Sequence, residues 1–134
     1  MIVLDASVLI AYLTPVDSNH QAAQSFLLSS AVDDGENLLV NPVTLAEALV
    51  WPAGNGRLDV VLAELTELGV TEAPFPPGTA RTLAGLRVTS GLKLPDCIVL
   101  LTALEHRAVL ASFDNRLRRT AALHGVEVQT YPTP

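Results

Sequence analysis

Four acidic residues are spaced so that their carboxylates could build one chemical site. They are Asp5 at the end of IVLD, Glu47 within NPVTLAEALV, Asp96 in KLPDCIVLL and Asp114 at the end of AVLASFD. Carboxylates at the carboxyl ends of strands can converge, because ligands of open α/β sheets bind outside those ends. Their oxygens suit Mg²⁺ or Mn²⁺, and such a cation serves phosphate chemistry. The pattern therefore predicts a metal-dependent site.

Helix capping is the competing explanation for three of these residues. Asp5, Asp96 and Asp114 each stand at the start of a predicted helix, where an Asp side chain can accept a backbone N–H bond and contribute about 1 kcal/mol. Capping is sufficient for each residue alone. Asp5 and Asp114 also end apolar strands and should share one edge of a sheet, which two independent caps need not do.

Glu47 is less easily explained by helix stability. Val43, Ala46 and Val50 are its neighbours on one helix face, so the sequence predicts a charge that projects from an apolar stripe. A charge in such a place needs a partner or a cation. No Lys or Arg precedes Arg57 in the chain, so a basic partner would have to fold back from a later segment.

Polar residues beside the carboxylates could position the substrate. Ser7 follows Asp5 by two residues, and its hydroxyl could cap the helix or bond a water or phosphate. Arg116 is predicted in the first turn of its helix, where a cation opposes the helix dipole, so helix stability does not explain it. It could reach a phosphate, or it could lie on a solvated face that pairs with the acidic first half.

Short apolar strands alternate with helices along the chain, and these elements must position the site. The predicted strands are residues 2–4, 38–40, 70–75, 108–112 and 126–131, and the predicted helices begin near Asp5, Ser18, Pro42, Arg57, Pro76, Asp96 and Asp114. This alternation implies parallel pairing and a three-layer α/β fold. The length of 134 residues fits one domain, residues 1–134.

The composition of the chain limits the cellular locations and the binding partners that we expect. The apolar start lacks a basic region and contains Asp5, so it is not typical of a signal peptide, and no apolar run approaches the roughly 20 residues that span a bilayer. We expect a cytoplasmic protein without membrane contact. The net charge of −6 argues mildly against nucleic acid binding. All basic residues lie at or beyond Arg57, however, and could form a local patch.

The order and spacing of four segments resemble the PIN-domain ribonucleases, and most closely the VapC-type toxins of bacterial toxin-antitoxin pairs. The segments are IVLDASVLIAYL, the helix with Glu47 after a short strand, LPDCIVLLTALEHRA and VLASFDNRL. The resemblance covers essentially the whole chain. It implies a PIN-like fold in which helices flank a short, mainly parallel central sheet.

The resemblance also implies residue roles and partners. The acidic quartet of the family would be Asp5, Glu47, Asp96 and Asp114. Ser7 and Ser112 occupy positions where the family has hydroxyl residues, whereas Asn115 stands where some relatives have a further acidic residue, so the number of metals stays open. The expected partners are RNA, a small antitoxin that occupies the site, and a second copy that joins two active sites into one RNA groove.

Together these observations predict an endoribonuclease that depends on Mg²⁺ or Mn²⁺. Asp5 and Asp96 would ligate the principal metal, with Asp114 supporting it, and Glu47 would orient the attacking water. Ser7, Ser112, Asn115 and Arg116 would contact the substrate. Attack by water would leave a 5′-phosphate and a 3′-hydroxyl.

Two alternatives remain open at this stage. A phosphatase of the haloacid dehalogenase type also begins with an Asp after a strand, but Ser7 stands where a second Asp is expected, and a lysine near the last acidic residues is missing. A non-catalytic α/β interaction module would use the carboxylates as caps and partner-binding groups. The metal would not stabilise such a module, because only a ligand that binds the folded state does so.

Overall fold

A parallel four-stranded sheet forms the centre of the molecule. The computed structural model describes residues 1–129 of the chain. The strands are β1 (Ile2–Leu4), β2 (Leu38–Val40), β3 (Val70–Glu72) and β4 (Val109–Ala111). Their order in the sheet is β3-β2-β1-β4, and all neighbouring pairs are parallel. The predicted α/β class with a short parallel sheet is therefore confirmed.

Helices connect the strands and cover both faces of the sheet. The α-helices of the described residues are α1 (Ala6–Leu13), α2 (His20–Leu28), α3 (Pro42–Gly54), α4 (Leu58–Leu68), α5 (Thr79–Ser90), α6 (Leu94–His106) and α7 (Asn115–Leu123). A π-helical turn, Ser29–Asp33, extends α2. No helix within residues 1–129 is long and apolar enough to cross a membrane.

The core has two halves because successive strand side chains point to opposite faces. Ile2 and Leu4 of β1 pack with residues of α1 to α4 in one cluster. Val3 packs with residues of α6 and α7 in the other. Leu100 of α6 and Leu117 of α7 are fully buried there. The sheet is thus sandwiched between helix layers, as the continuous apolar strands predicted.

The chain reverses its direction of travel across the sheet between β1 and β4. From β1 it adds β2 and β3 on one side, and later returns to place β4 on the other side. Leu4 pairs with Ala111 at the carboxyl ends of these strands, and the amide of Asp5 donates to the Ala111 carbonyl at 3.0 Å. Such a switch point is where open α/β sheets bind ligands. It brings Asp5 and Asp114 to one edge, as the strand ends predicted.

Three predicted helix starts and one predicted helix end, that of α3 near Trp51 and Pro52, need correction. Helix α5 begins at Thr79 rather than near Pro76. Helix α2 begins after Asn19 rather than Ser18. Helix α3 continues through Pro52 to Gly54, because the buried Pro52 ring packs in its last turn despite the lost N–H bond. Helix α6 begins at Leu94 rather than near Asp96, since Pro95 is tolerated in a first turn that needs no N–H.

Three predicted strands are shorter than expected. The strand at residues 108–112 is limited to Val109–Ala111. The strand at residues 70–75 ends at Glu72, because Pro74 has no N–H to continue the ladder. The final strand at residues 126–131 is represented by a single parallel bridge between Leu110 and Val128. Thr130 and Tyr131 of that prediction lie outside the described residues.

Candidate active site

We use the term carboxylate crevice for the surroundings of Asp5, Glu47, Asp96 and Asp114, of which Asp5 is the buried member. Its side chain lies at the N-cap position of α1 but makes no capping bond, so the capping explanation fails for this residue. Oδ2 instead accepts hydrogen bonds from Ser7 Oγ at 2.8 Å and from Ser112 Oγ at 2.7 Å. Within residues 1–129 no hydrogen bond reaches the other oxygen, Oδ1. Asp5 is therefore oriented through one oxygen and keeps the second for a ligand.

The same two hydroxyls connect the ends of β1 and β4. Ser7 Oγ accepts a bond from the amide of Phe113 at 3.0 Å, and Ser112 Oγ accepts one from the amide of Asp114 at 2.9 Å. Each serine thus donates one hydrogen bond to Asp5 and accepts one from a backbone amide, that of Phe113 or that of Asp114. Ser112 is fully buried, so these contacts make it a positioning group for the carboxylates. Direct contact of Ser7 and Ser112 with substrate stays a prediction.

Asp114 caps its helix and also interacts electrostatically with Asp96. Its Oδ1 accepts a bond from the amide of Leu117 at 3.0 Å, which is an N-cap interaction at the start of α7. The capping prediction is correct here. The side chain is exposed, and its charge raises the pKa of Asp96, so it lies within electrostatic reach of that residue. Capping and membership of the acidic group are compatible for Asp114.

Electrostatic interactions identify the four predicted carboxylates as one group. Burial raises the pKa of Glu47, and the charges of Asp5 and Asp96 raise it further. Burial also raises the pKa of Asp96, as do Asp5 and Asp114, while the cations of Arg116 and Lys93 oppose this rise. Asp96 lies in the first turn of α6 and is not its cap. The four acidic residues are therefore linked through Asp96, which interacts electrostatically with Asp5, Glu47 and Asp114.

Glu47 differs from the sequence-based expectation in its surroundings. It is exposed, and the apolar stripe around it is also largely exposed, with Val43 and Val50 accessible on the same face of α3. Glu47 lines a cavity of about 300 Å³ together with Ile10 and Trp51. The periodicity identified an apolar stripe correctly, but no other element of residues 1–129 covers it.

Arg57 does fold back toward Glu47, although without pairing. It lines the same cavity, together with Val61 and Glu64 of α4. No ion pair joins Arg57 to Glu47 within the described residues. The charge of Glu47 is therefore not neutralised by this arginine, and its exposed carboxylate remains available to a ligand.

The basic residues after Asp114 have separate surroundings. Arg116 is exposed and donates from Nη2 to the carbonyl of Gly91 at 3.1 Å. Asn115 is exposed at the start of α7. Arg118 is partly buried and donates from Nη1 to the carbonyls of Ser112 at 3.0 Å and Gln129 at 2.8 Å. The sequence reasoning missed Arg118, although its spacing of four from Asp114 places it on the helix face toward β4.

The donor set fits a hard divalent cation in its chemistry. It consists of carboxylate oxygens, and the buried Asp5 contributes an oxygen without a hydrogen bond. Within residues 1–129, no three His, Cys, Asp or Glu side chains lie close enough together to coordinate one metal ion as they stand. Two carboxylates about 4 Å apart repel by roughly 4 kcal/mol at an effective dielectric constant near 20, so a bound divalent cation would offset the repulsion within this group.

This combination of fold and carboxylates defines a known class of protein. The PIN domain profile matches residues 2–123. The chain belongs to the PIN domain family, which is a family of nucleases. The sequence motifs had indicated the same family, and that prediction is confirmed. No curated protein sequence gives a significant match to the chain.

Solved structures share this fold at low sequence identity. VapBC2 from Rickettsia felis bound to a promoter DNA fragment matches with a TM-score of 0.73 and 12% identity, covering 98% of this chain and 100% of that chain. VapC20 of Mycobacterium tuberculosis, a toxin that cleaves the sarcin-ricin loop, has a TM-score of 0.73, 13% identity and the same coverage of 98% and 100%. A toxin-antitoxin complex from Klebsiella pneumoniae has a TM-score of 0.67 and 22% identity, with 85% and 87% covered.

Proposed function

We propose that the protein is an endoribonuclease that depends on Mg²⁺ or Mn²⁺ and acts as the toxin of a toxin-antitoxin pair. The observation that supports this most directly is the carboxylate group at the β1/β4 switch point, with Asp5 held by two hydroxyls and one of its oxygens free. The PIN domain match supports nuclease chemistry. The similar structures include a toxin described as cleaving the sarcin-ricin loop, which supports RNA as the substrate class.

The proposed mechanism assigns a separate task to each carboxylate. Asp5 and Asp96 would hold the cation, with Asp114 supporting them. A bound Mg²⁺ or Mn²⁺ lowers the pKa of a coordinated water and stabilises charge on the phosphate oxygens. Glu47 orients the attacking water and accepts its proton, a role that suits a carboxylate whose pKa is raised by burial and by neighbouring Asp5 and Asp96. Cleavage leaves a 5′-phosphate and a 3′-hydroxyl.

The hydroxyls keep the first of these carboxylates in place. Ser7 and Ser112 together fix the rotamer of Asp5, and their own acceptor bonds tie it to the loop that carries Asp114. A carboxylate fixed in this way needs little reorganisation when a cation binds. Asn115 and Arg116 lie beyond the carboxylates at the start of α7, where they could contact the substrate backbone.

The decisive experiment compares RNA cleavage with metal, with chelator and with a ligand variant. Purified protein is incubated with RNA in Mg²⁺ or Mn²⁺ or in EDTA, and the product ends are mapped. We expect cleavage only with metal, 5′-phosphate products, and at least about a 100-fold loss in Asp96→Asn. Glu67→Gln, an exposed carboxylate change on α4, is the matched control and should remain active. Cleavage that persists in EDTA or in folded Asp96→Asn contradicts the proposal.

Metal binding without catalysis separates the proposal from an interaction module. A ligand that binds only the folded state stabilises it, by about 2.7 kcal/mol at a concentration of 100 times its Kd. We expect Mn²⁺ to raise the Tm of the wild type and to have a weaker effect on Asp5→Asn. No rise in Tm and no calorimetric binding would favour the non-catalytic module. The phosphatase alternative is not supported by the family match.

The antitoxin is proposed to cover the cavity beside Glu47. Ile10, Val50 and Trp51 are exposed around it, and Glu64 adds a second carboxylate to its lining. Exposed apolar side chains next to carboxylates suit a partner segment that presents apolar residues beside a basic one. Two of the similar structures are complexes of toxins with antitoxins, which supports a partner of this kind.

A homodimer is also proposed, as the family resemblance implies. Val88 of α5 and Leu94 of α6 are exposed apolar residues away from the Glu47 cavity, and they give a second copy a surface to cover. Sedimentation velocity of the purified protein tests this. A monomer at concentrations of tens of micromolar would contradict the proposal without affecting the nuclease assignment.

A further inference from the structure

The loop between α5 and α6 is held firmly beside the carboxylate crevice. The carbonyl of Gly91 accepts the bond from Arg116, and the amide of Leu92 donates to Ser90 Oγ at 3.1 Å. The carbonyl of Leu92 accepts from Cys97 Sγ at 3.4 Å, and the Leu92 side chain is buried. Lys93 follows directly at the N-cap position of α6. The backbone of the loop that carries Lys93 is therefore fixed to α6 and α7.

The side chain of Lys93 is free although its backbone is fixed. It is exposed, and no hydrogen bond or ion pair engages its ammonium within residues 1–129. Lys93 gives α6 no side-chain cap, and a cation at this end opposes the helix dipole. Neither packing nor helix stability explains a lysine at this position. Its position three residues before Asp96 places it at the rim of the crevice.

Arg116 has the same unexplained placement on the facing helix. It lies in the first turn of α7, where a cation is again unfavourable, and it is exposed. Its bond to Gly91 engages one nitrogen of a guanidinium that carries five N–H donors. The remaining donors stay available for two oxygens of a phosphate group. The bond to Gly91 also brings this cation to the same loop as Lys93.

We propose that Lys93 and Arg116 form a phosphate clamp that holds the RNA backbone at a phosphate next to the one being cleaved. Arg116 offers a fork of donors to the phosphate oxygens, and Lys93, at the N-cap of the neighbouring helix α6, contributes a point charge. The clamp rests on the proposed nuclease function. Because the net charge of the chain is −6, its attraction for RNA has to come from a local group of cations, and this clamp would supply one.

The clamp differs in its consequences from a merely structural role for these cations. Cations that only offset the charge of Asp96 would affect stability and the protonation of that carboxylate. Cations that contact phosphate also release counterions from the RNA when it binds. The dependence of RNA affinity on salt concentration therefore reports the clamp and is insensitive to a structural role.

The experiment measures binding of a labelled single-stranded RNA by fluorescence anisotropy in EDTA, over a series of salt concentrations. We expect Lys93→Gln and Arg116→Gln each to weaken binding about 5- to 10-fold and to reduce the slope of log K against log salt by about 0.7. Lys93→Arg should keep the slope. Arg81→Gln, an exposed arginine change on α5, is the matched control and should leave both quantities unchanged.

The outcomes separate the clamp from the nuclease proposal. Unchanged slopes in both folded glutamine variants, or an equal change in Arg81→Gln, overturn the clamp even when the wild type cleaves RNA. If the wild type cleaves no RNA but both glutamine variants still bind it with reduced slopes, the clamp is supported as an RNA site while the nuclease assignment fails. Thermal unfolding verifies that each variant is folded. If loss of the bond to Gly91 unfolds Arg116→Gln, the test depends on Lys93→Gln alone.

Discussion

Ser112 donates its hydroxyl proton to Oδ2 of Asp5 at 2.7 Å, across a separation of 107 positions in the sequence. The hydroxyl oxygen of Ser112 in turn accepts a bond from the amide of Asp114 at 2.9 Å. One buried hydroxyl therefore sets the relation between the carboxylate after β1 and the carboxylate after β4. Parallel pairing of these two strands is what brings the groups together. The geometry of the crevice depends directly on the register of the sheet.

Removal of this hydroxyl should weaken both the fold and the site. In Ser112→Ala the buried Asp5 keeps one of its two donors and the amide of Asp114 loses its acceptor. We expect a loss of about 1–3 kcal/mol in the free energy of unfolding. We also expect RNA cleavage to fall about 10- to 100-fold, since the carboxylates are no longer held.

Urea unfolding and initial cleavage rates measure these two effects. Ser112→Thr keeps the hydroxyl and should retain more activity than the alanine variant. Ser29→Ala, at an exposed position, is the control for the loss of a serine hydroxyl. Full activity in Ser112→Ala would show that Asp5 does not need this bond.

The two raised carboxyl pKa values predict how stability depends on pH without metal. The folded state binds these protons more tightly than the unfolded chain, because burial and neighbouring carboxylates raise the pKa of Glu47 and of Asp96. The resulting penalty is absent below the ordinary carboxyl pKa of about 4 and complete above the raised values. Stability contributed by these groups therefore falls as pH rises through that window.

Neutral variants should abolish this part of the pH dependence. In EDTA at pH 7 we expect Glu47→Gln and Asp96→Asn to have a higher Tm than the wild type, with the difference shrinking toward zero near pH 4. Glu67→Gln should follow the wild type at every pH. Differential scanning fluorimetry between pH 4 and 7.5 makes the comparison. A lower Tm for both variants at pH 7 would mean that these carboxylates stabilise the metal-free fold.

Trp51 offers a direct test of where the antitoxin binds. It is exposed beside the Glu47 cavity and is the only tryptophan of the chain. When an antitoxin covers the cavity, we expect its fluorescence to shift to the blue. Because exposed tryptophans at interfaces are often dominant contacts of at least 2 kcal/mol, Trp51→Ala should weaken binding about 30-fold or more.

The binding partner for this test is the protein encoded by a short reading frame next to the gene. If that partner lacks its own tryptophan, emission reports Trp51 alone, and calorimetry gives the affinity. Val88→Ala, an exposed apolar change on α5, is the control and should bind normally. Unchanged affinity in Trp51→Ala would place the antitoxin elsewhere. RNA cleavage by Trp51→Ala verifies that the site itself is intact.

The sequence predicted the elements well where local chemistry decides them. Apolar runs of three residues indicated the positions of β1, β2 and β4. Asp5 and Asp114 could be placed together because both follow strands of one parallel sheet. The exact start of α6 was less predictable, since both Pro95 and Asp96 are favourable near a helix N-terminus.

Contacts between distant segments could not be predicted. Periodicity shows which face of a helix is apolar, but not whether another element covers that face, so Glu47 was expected in more apolar surroundings than it has. The role of Ser112 depends on a bond across the sheet. Arg118 was missed because it binds backbone carbonyls, and these carry no side-chain pattern in the sequence.

Arg118 should act on the site through Ser112. Its Nη1 joins the Ser112 carbonyl to that of Gln129, and so ties the end of β4 to the segment that follows α7. That segment also pairs with β4, since the amide of Leu110 donates to the Glu127 carbonyl and the amide of Gln129 donates to the Leu110 carbonyl. Loss of the guanidinium frees the backbone of the residue that orients Asp5.

We expect Arg118→Gln to lose about 1–3 kcal/mol of stability and to bind Mn²⁺ about 10-fold more weakly than the wild type. Its kcat should fall more than its KM rises, because the proposed effect is on carboxylate position and not on RNA contact. Arg119→Gln, the adjacent exposed arginine, is the matched control for stability and metal affinity. Isothermal titration with Mn²⁺ gives a readout independent of cleavage. Wild-type Mn²⁺ affinity in folded Arg118→Gln would limit Arg118 to a role in stability, because a misplaced Asp5 has to weaken the cation site.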